Sequence, residues 1–292
     1  MTGRLLAAAL AAALAGCAPG DAVESPLEGP GTGATDVPAP PPTVDRPDWA
    51  SAFEAEGAVG TFVLYDPATG RTERLDAERA ATRFTPASTS KVFNALVFLD
   101  RGAVRDPDSV SAWDGVERSV GAWNRDHSLR SGTEVSAAWL FQRLAREVGR
   151  DGYEEVFARQ SYGNSTMGEP LEMSWLDGTW RVSADEQVAF VDALRRGALA
   201  FDAADQATVR DLLPVLDEGL GWRLKGKTGW GQCCDRPDIG WIVGYLERPQ
   251  GDLVFAMNAE AAQSQTFEVG PGRLRIVRAV LGGEGLLPRD GG

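Results

Sequence analysis

The stretch 85-TPASTSKVFNALVFLD-100 decides how the rest of the chain is read. After Pro86 its apolar residues Val92, Phe93, Ala95, Leu96, Val97, Phe98 and Leu99 leave no wide polar stripe. That pattern predicts a helix enclosed on nearly all sides. Its first turn nevertheless carries Ser88, Ser90 and Lys91. A buried ammonium is strongly unfavourable unless it is paired or loses its proton, so Lys91 needs a chemical reason to be there.

Lysine is scarce in this sequence. It occurs only at 91, 225 and 227, so that 29 basic residues less three leaves 26 arginines. Burial lowers a lysine pKa toward the working range and gives a neutral amine able to act as base or nucleophile, which arginine cannot do. Ser88 and Lys91 are three apart and share a helix face, which places an amine beside a hydroxyl. A helix-start serine followed by a solvated lysine is the bland alternative, and the apolar surroundings weigh against it. A second element, Lys227-Thr228-Gly229-Trp230, enters a strand, where Gly229 permits close backbone approach by a ligand. The ammonium and hydroxyl of Lys227 and Thr228 suit an anionic group.

With 292 residues and 43% hydrophobic content, the chain is large enough for one sizeable domain or two interleaved lobes. A formal net charge of −13 and the lack of a basic stripe exclude a nucleic-acid surface. Residues 1–17 read as an export signal: Arg4, then an apolar run from Leu5 to Leu14, ending in Leu-Ala-Gly-Cys17. Residues 18–46 are rich in Pro, Gly and Ala and read as a tether. The folded domain is expected over 47–288. Cys233 and Cys234 are adjacent, and two free, partly buried thiols are expected ahead of a vicinal disulfide. The single histidine, His127, lies in the polar sequence WNRDHSLRSG, and a surface or loop role is expected for it rather than that of a base. There is no G-x-S-x-G elbow, and one histidine leaves too few ligands for the usual zinc site. No metal or cofactor is expected.

GTFVLYDPATGRTERLD and GWIVGYLERPQGDLVFAMNAE each read as a β-hairpin. Helical patterns fall between them, at 85–101, 133–149, 151–159, 184–197 and 203–213, and PGRLRIVRAVL makes a last helix. Strands therefore come from both chain ends and helices from the middle. That order predicts an α+β protein whose terminal strands complete one antiparallel sheet, with flanking helices and an inserted helical lobe.

S-x-x-K together with K-T-G is the pairing found in penicillin-binding proteins and serine β-lactamases. Over residues 58–287 the chain resembles the class D, oxacillinase-type, serine β-lactamases. The matching stretches are GTFVLYD, RFTPASTSKVFNALVFLD, WDGVERSVGAWNRDHSLRSG, AREVGRDGYEEVFARQSYGN, SWLDG, RVSADEQVAFVDALRRG, KGKTGWG and GWIVGYLE, in family order. The resemblance implies hydrolysis of β-lactam antibiotics through an acyl-enzyme on Ser88. It implies that Lys91 takes up carbon dioxide (supplied by bicarbonate) to become a carbamate, the general base for acylation and deacylation. It further implies that Trp175 donates to that carbamate with Leu176 and Ala138 beside it, and that Ser136 relays a proton to the lactam nitrogen. Lys227, Thr228 and Gly229 would face the substrate, with Arg273 holding its carboxylate. The N–H groups of Ser88 and Trp230 would form the oxyanion hole. Tyr162, Gly163 and Asn164 would support the site.

The sequence departs from the family pattern at three places. Ala138 stands where the family has valine, which removes apolar bulk beside Lys91. Ser90 replaces a frequent aromatic. The segment AEAAQSQTFEVGPG is longer than usual, so the choice of Arg273 over Arg275 or Arg278 rests on counting back from EGL. The alternative function is a β-lactam-sensing or penicillin-binding domain that acylates but deacylates slowly. A peptidoglycan carboxypeptidase and a silent binding lipoprotein stand behind it. The expected partner is a small-molecule β-lactam, with no nucleic acid, and a membrane only through a lipid on Cys17 of an exported, periplasmic protein.

Overall fold

The computed structural model describes residues 43–287, apart from 234–236 and 264. The leader, Cys17, most of the Pro/Gly-rich segment, Cys234 and position 288 lie outside the described residues. Seven strands make one sheet: β1 (Thr43–Asp45), β2 (Ala58–Asp66), β3 (Arg71–Leu75), β4 (Val215–Gly219), β5 (Trp222–Gly231), β6 (Ile239–Glu247) and β7 (Leu253–Ala261). Their spatial order is β1-β3-β2-β7-β6-β5-β4. The two chain ends meet where β2 pairs antiparallel with β7, Phe62 opposite Met257. Among the described residues only β1 with β3 runs parallel, and β1 lies just ahead of the expected domain start at 47.

The β2–β3 turn is built by Asp66, whose carboxylate accepts the Ala68 N–H at 2.9 Å and the Thr69 hydroxyl at 3.0 Å. Thr61 to Leu64 are all buried, because helices cover both sheet faces. Val63 joins the core shared with the helical lobe, while Phe62 and Leu64 join a second core under α1 (Ala50–Glu54) and α8 (Val269–Gly283). Burial of the two faces in this way stabilises by roughly 25 cal/mol per Å² of apolar surface.

The lobe comprises α2 (Ala77–Ala81), α3 (Lys91–Asp100), α4 (Leu129–Glu134), α5 (Ala138–Phe157), α6 (Ala184–Arg196) and α7 (Ala203–Leu212). One helix was expected over 133–149, and the structure splits it. Ser128 and Ser131 form a capping box that starts α4 earlier, and Ser136 at φ 60° breaks the chain before α5. α5 then bends at Gly149, φ 70°, close to the expected break. α6 begins with a Ser183/Glu186 capping box and ends on Gly197 in the left-handed region.

Candidate active site

The predicted helix at 85–100 opens with a 3₁₀ turn, Ala87–Ser90, before α3. Ala87 sits at φ 47°, a costly conformation for a residue with a Cβ, so neighbours must hold the turn. They do so with a ring of buried hydrogen bonds. The Trp241 indole donates to the Thr85 carbonyl at 3.0 Å, and the Thr85 hydroxyl donates to the Trp175 carbonyl at 3.1 Å. The Gln187 amide donates to the Thr89 hydroxyl at 2.9 Å, and Tyr162 donates to Gln187 at 2.8 Å. Ser90 turns inward: its hydroxyl donates to the Ala87 carbonyl at 2.7 Å, next to an Asn94 that accepts from Tyr153. The departure at position 90 thus braces the turn. Within the turn Ala87, Thr89 and Ser90 are buried, and Ser88 alone reaches half-exposure.

Lys91 is 1% exposed, and its Nζ donates to Ser88 Oγ at 3.0 Å. Beneath it lies Phe141, ring centroid 5.0 Å from Nζ, and no carboxylate pairs with the amine among the described residues. Burial alone pushes the Lys91 pKa down to about 7, so the amine is largely neutral at slightly alkaline pH and free to activate its neighbour. Lys227 is also buried, and among the described residues its one hydrogen bond is to the Thr228 carbonyl at 3.2 Å. Its pKa is held well below the usual lysine range by burial, then by the charges of Lys91 and Arg273.

Two buried donors, the Trp175 indole N–H and the Ser136 hydroxyl, have no partner among the described residues. Leaving a buried donor unpaired costs roughly 1–3 kcal/mol, and the polar set so assembled fits an anionic acceptor. A carbamate on Lys91 meets that description, since Trp175 is anchored to the nucleophile turn through its carbonyl. Leu176 and Ala138 are half-buried. Ala138 opens α5 one turn before Phe141, on the same helix face.

β5 reaches the nucleophile turn because Gly229 and Gly231 carry no side chain on that face. A Cβ on Gly229 would lie 3.0 Å from the Pro86 carbonyl oxygen, and one on Gly231 would lie 2.7 Å from the Thr85 methyl. The segments carrying the Ser88 and Trp230 N–H groups therefore adjoin. β4 pairs with β5 only over Trp222–Lys225, which leaves the Lys-Thr-Gly end free of it.

Geometry also separates the three arginines of α8. Arg275 bonds Glu56 and Glu268, and Arg278 pairs with Asp217. Arg273 instead donates to the Gly229 carbonyl and, at 3.3 Å, to that of Gly270, with no carboxylate partner among the described residues. Burial pushes its pKa down to about 10, still charged at neutral pH.

Two expectations are corrected. His127 is 1% exposed rather than on the surface. Its Nε2 meets the Ala122 carbonyl at 2.9 Å and its Nδ1 meets the Ser131 hydroxyl at 3.0 Å, so both nitrogens are spent on bracing the loop before α4. Cys233 is in a disulfide, not a free thiol, and its partner lies outside the described residues. Of Tyr162, Gly163 and Asn164, Tyr162 reaches the nucleophile turn through Gln187, while the other two pack on the 179–181 segment. Asn164 spans Thr179 and Arg181, and a Cβ on Gly163 would lie 2.0 Å from the Arg181 carbonyl oxygen. Sequence analysis did not single out Phe141, Gln187 or Tyr153. Counting one turn on from Ala138 points to Phe141, but the other two are placed only by the fold.

Residues 60–281 match the family model described as the penicillin binding protein transpeptidase domain. The chain is 35% identical over 252 residues to beta-lactamase OXA-2 of Salmonella typhimurium, covering 85% of this chain and 88% of that one. Among solved structures it is similar to FUS-1 (OXA-85), a class D β-lactamase from Fusobacterium nucleatum subsp. polymorphum, at TM-score 0.77 and 32% identity, covering 83% of this chain and 99% of that one. The C-terminal domain of the Bacillus licheniformis BlaR penicillin-receptor is also similar, at TM-score 0.77 and 30% identity, with 84% and 98% covered.

Proposed function

The chain belongs to the class D serine β-lactamases, and from that premise we propose that it hydrolyses β-lactams through an acyl-enzyme on Ser88 with a carboxylated Lys91 as general base. The observation that supports this most is a fully buried lysine with no carboxylate partner among the described residues, 3.0 Å from the hydroxyl of a half-buried serine. Carbon dioxide, bonded to the neutral Nζ with loss of an amine proton to solvent, supplies the base for both halves of the reaction.

The protein's own residues do the rest. Burial over Phe141 favours the unprotonated Nζ, and the Trp175 N–H offers a donor to a negative group there. An anion at position 91 also replaces the repulsion that Lys227 feels from Lys91 with attraction, which favours a protonated Lys227 facing the substrate. Ser136 holds a free hydroxyl for passing a proton to the lactam nitrogen. The N–H groups of Ser88 and Trp230 stabilise charge developing on the carbonyl oxygen, a contribution of several kcal/mol in such reactions. Arg273 and Thr228 hold the carboxylate. Export, with a lipid on Cys17, completes the proposal. Among the described residues no helix is long and apolar enough to cross a membrane.

The likeness to the BlaR domain motivates a second reading, acylation with slow deacylation. Hydrolysis of a chromogenic cephalosporin with and without added bicarbonate tests the first. Turnover that vanishes in Ser88→Ala supports it; a wild type no more active than Ser88→Ala in either buffer overturns it. Intact-mass measurement separates the two readings, since a sensor keeps its acyl adduct for hours.

A further inference from the structure

We propose that the cleft beside Trp230 is a subsite for a positively charged substituent on the carboxylate-bearing ring of the substrate, with Trp230 and Asp238 as its specificity-determining residues. The proposal rests on the hydrolytic reading above. The cleft measures about 610 Å³ and is walled by Trp230, Pro237, Asp238, Gln265, Phe267 and Glu268. Most of that wall is the long segment before Arg273. Gly270 lines the cleft too, and its carbonyl accepts from Arg273 Nε. The cleft thus begins where Arg273 would hold the substrate's carboxylate, and a substituent on the neighbouring ring carbon enters it.

Its chemistry favours a cation. Trp230 is 50% exposed, unusual for an indole, and its N–H donates to Asp238 Oδ2 at 2.8 Å. Gln232 donates to the same oxygen at 2.8 Å. These bonds fix the ring and the carboxylate against each other but leave the charge of Asp238, half-buried, without a cationic partner among the described residues. Across the cleft Glu268 reaches, among the described residues, the Arg275 guanidinium at 3.3 Å, an arginine that lies closer to Glu56. Beyond Arg273, a cation therefore meets an aromatic surface and a carboxylate with no cationic partner among the described residues, whereas an anion meets two carboxylates.

Two cephalosporins with one acyl side chain test this, one carrying a pyridiniummethyl and the other an acetoxymethyl group at C3. The readout is the ratio of their kcat/KM values in the full-length wild type and in Asp238→Asn. Intrinsic reactivity cancels when the two ratios are compared. The ratio should fall roughly two- to fivefold in Asp238→Asn, the size expected of one exposed ion pair, since the indole stays in place. On the unaltered protein, raising the salt concentration should raise KM for the pyridinium compound more than for the acetoxymethyl one, and Glu268→Gln should lower the ratio in the same direction. An unchanged ratio, or equal salt dependence for both compounds, overturns the subsite while leaving hydrolysis intact; equal loss for both compounds marks a merely structural role and also overturns it. No turnover of either compound overturns the hydrolytic reading, and the subsite with it.

Discussion

Replacing Lys91 by methionine exchanges a buried amine for an uncharged side chain of similar length, and it should make the protein more stable as it destroys activity. Burial takes the amine from an ordinary pKa of 10.5 to about 7. At about 1.4 kcal/mol for each factor of ten, that gap of 3.5 corresponds to a folding penalty of about 5 kcal/mol when the pH is below 7. The sign follows from proton counting. Between about pH 7 and 10.5 the unfolded chain holds a proton on this amine that the folded chain lacks, so the wild type gains stability as pH rises across that window. Below it the penalty is constant, and above it the penalty is gone. Methionine gives up the bond to Ser88, about 1 kcal/mol, so Lys91→Met should gain roughly 2–4 kcal/mol at pH 6, with the gain fading toward pH 10. Urea unfolding in carbon-dioxide-depleted buffer measures it. A variant less stable than the wild type at pH 6, or a difference that does not change with pH, refutes a dry, deprotonated Lys91.

Two further substitutions probe the groups around it. Trp175→Phe removes the buried, unpaired indole N–H, and should change the stability of the unmodified protein little, because relief of that group offsets the volume lost from a fully buried ring. It should raise the bicarbonate concentration needed for half-maximal activity roughly ten- to a hundredfold, the value of a hydrogen bond to a charged group; an unchanged bicarbonate requirement contradicts the role given to Trp175. Arg273→Leu should lower kcat/KM roughly ten- to a hundredfold, mostly through KM, while Arg275→Leu and Arg278→Leu leave it within about threefold because their charges are spent on Glu56, Glu268 and Asp217. Steady-state kinetics decide this, and a larger loss in either of the last two reassigns the carboxylate anchor.

Much of this arrangement was legible in the sequence because it depends on local spacing. Ser88 and Lys91 are one helical turn apart, the Lys-Thr-Gly end of β5 is contiguous, and two hairpins at opposite chain ends imply a sheet closed between them. Other features depend on what packs against a residue, which no spacing records. Ser90 read as an extra polar group near the amine, yet its hydroxyl caps the Ala87 carbonyl. His127 sits among polar neighbours in sequence but under the loop in space, both nitrogens occupied. The split between α4 and α5 was hidden because residues 133–149 keep a helical pattern through Ser136, whose φ of 60° only the fold imposes. Arg273 could be chosen by counting alone. Its separation from Arg275 and Arg278 became physical only when their acidic partners were in view.

The central claim is that Lys91 becomes a carboxylated base, and ¹³C NMR of the full-length protein in ¹³C-bicarbonate tests it directly. The account predicts one carbamate resonance near pH 8 that disappears in Lys91→Met and on acidification to pH 5, in step with hydrolysis. Full hydrolytic activity with no carbamate resonance would contradict it.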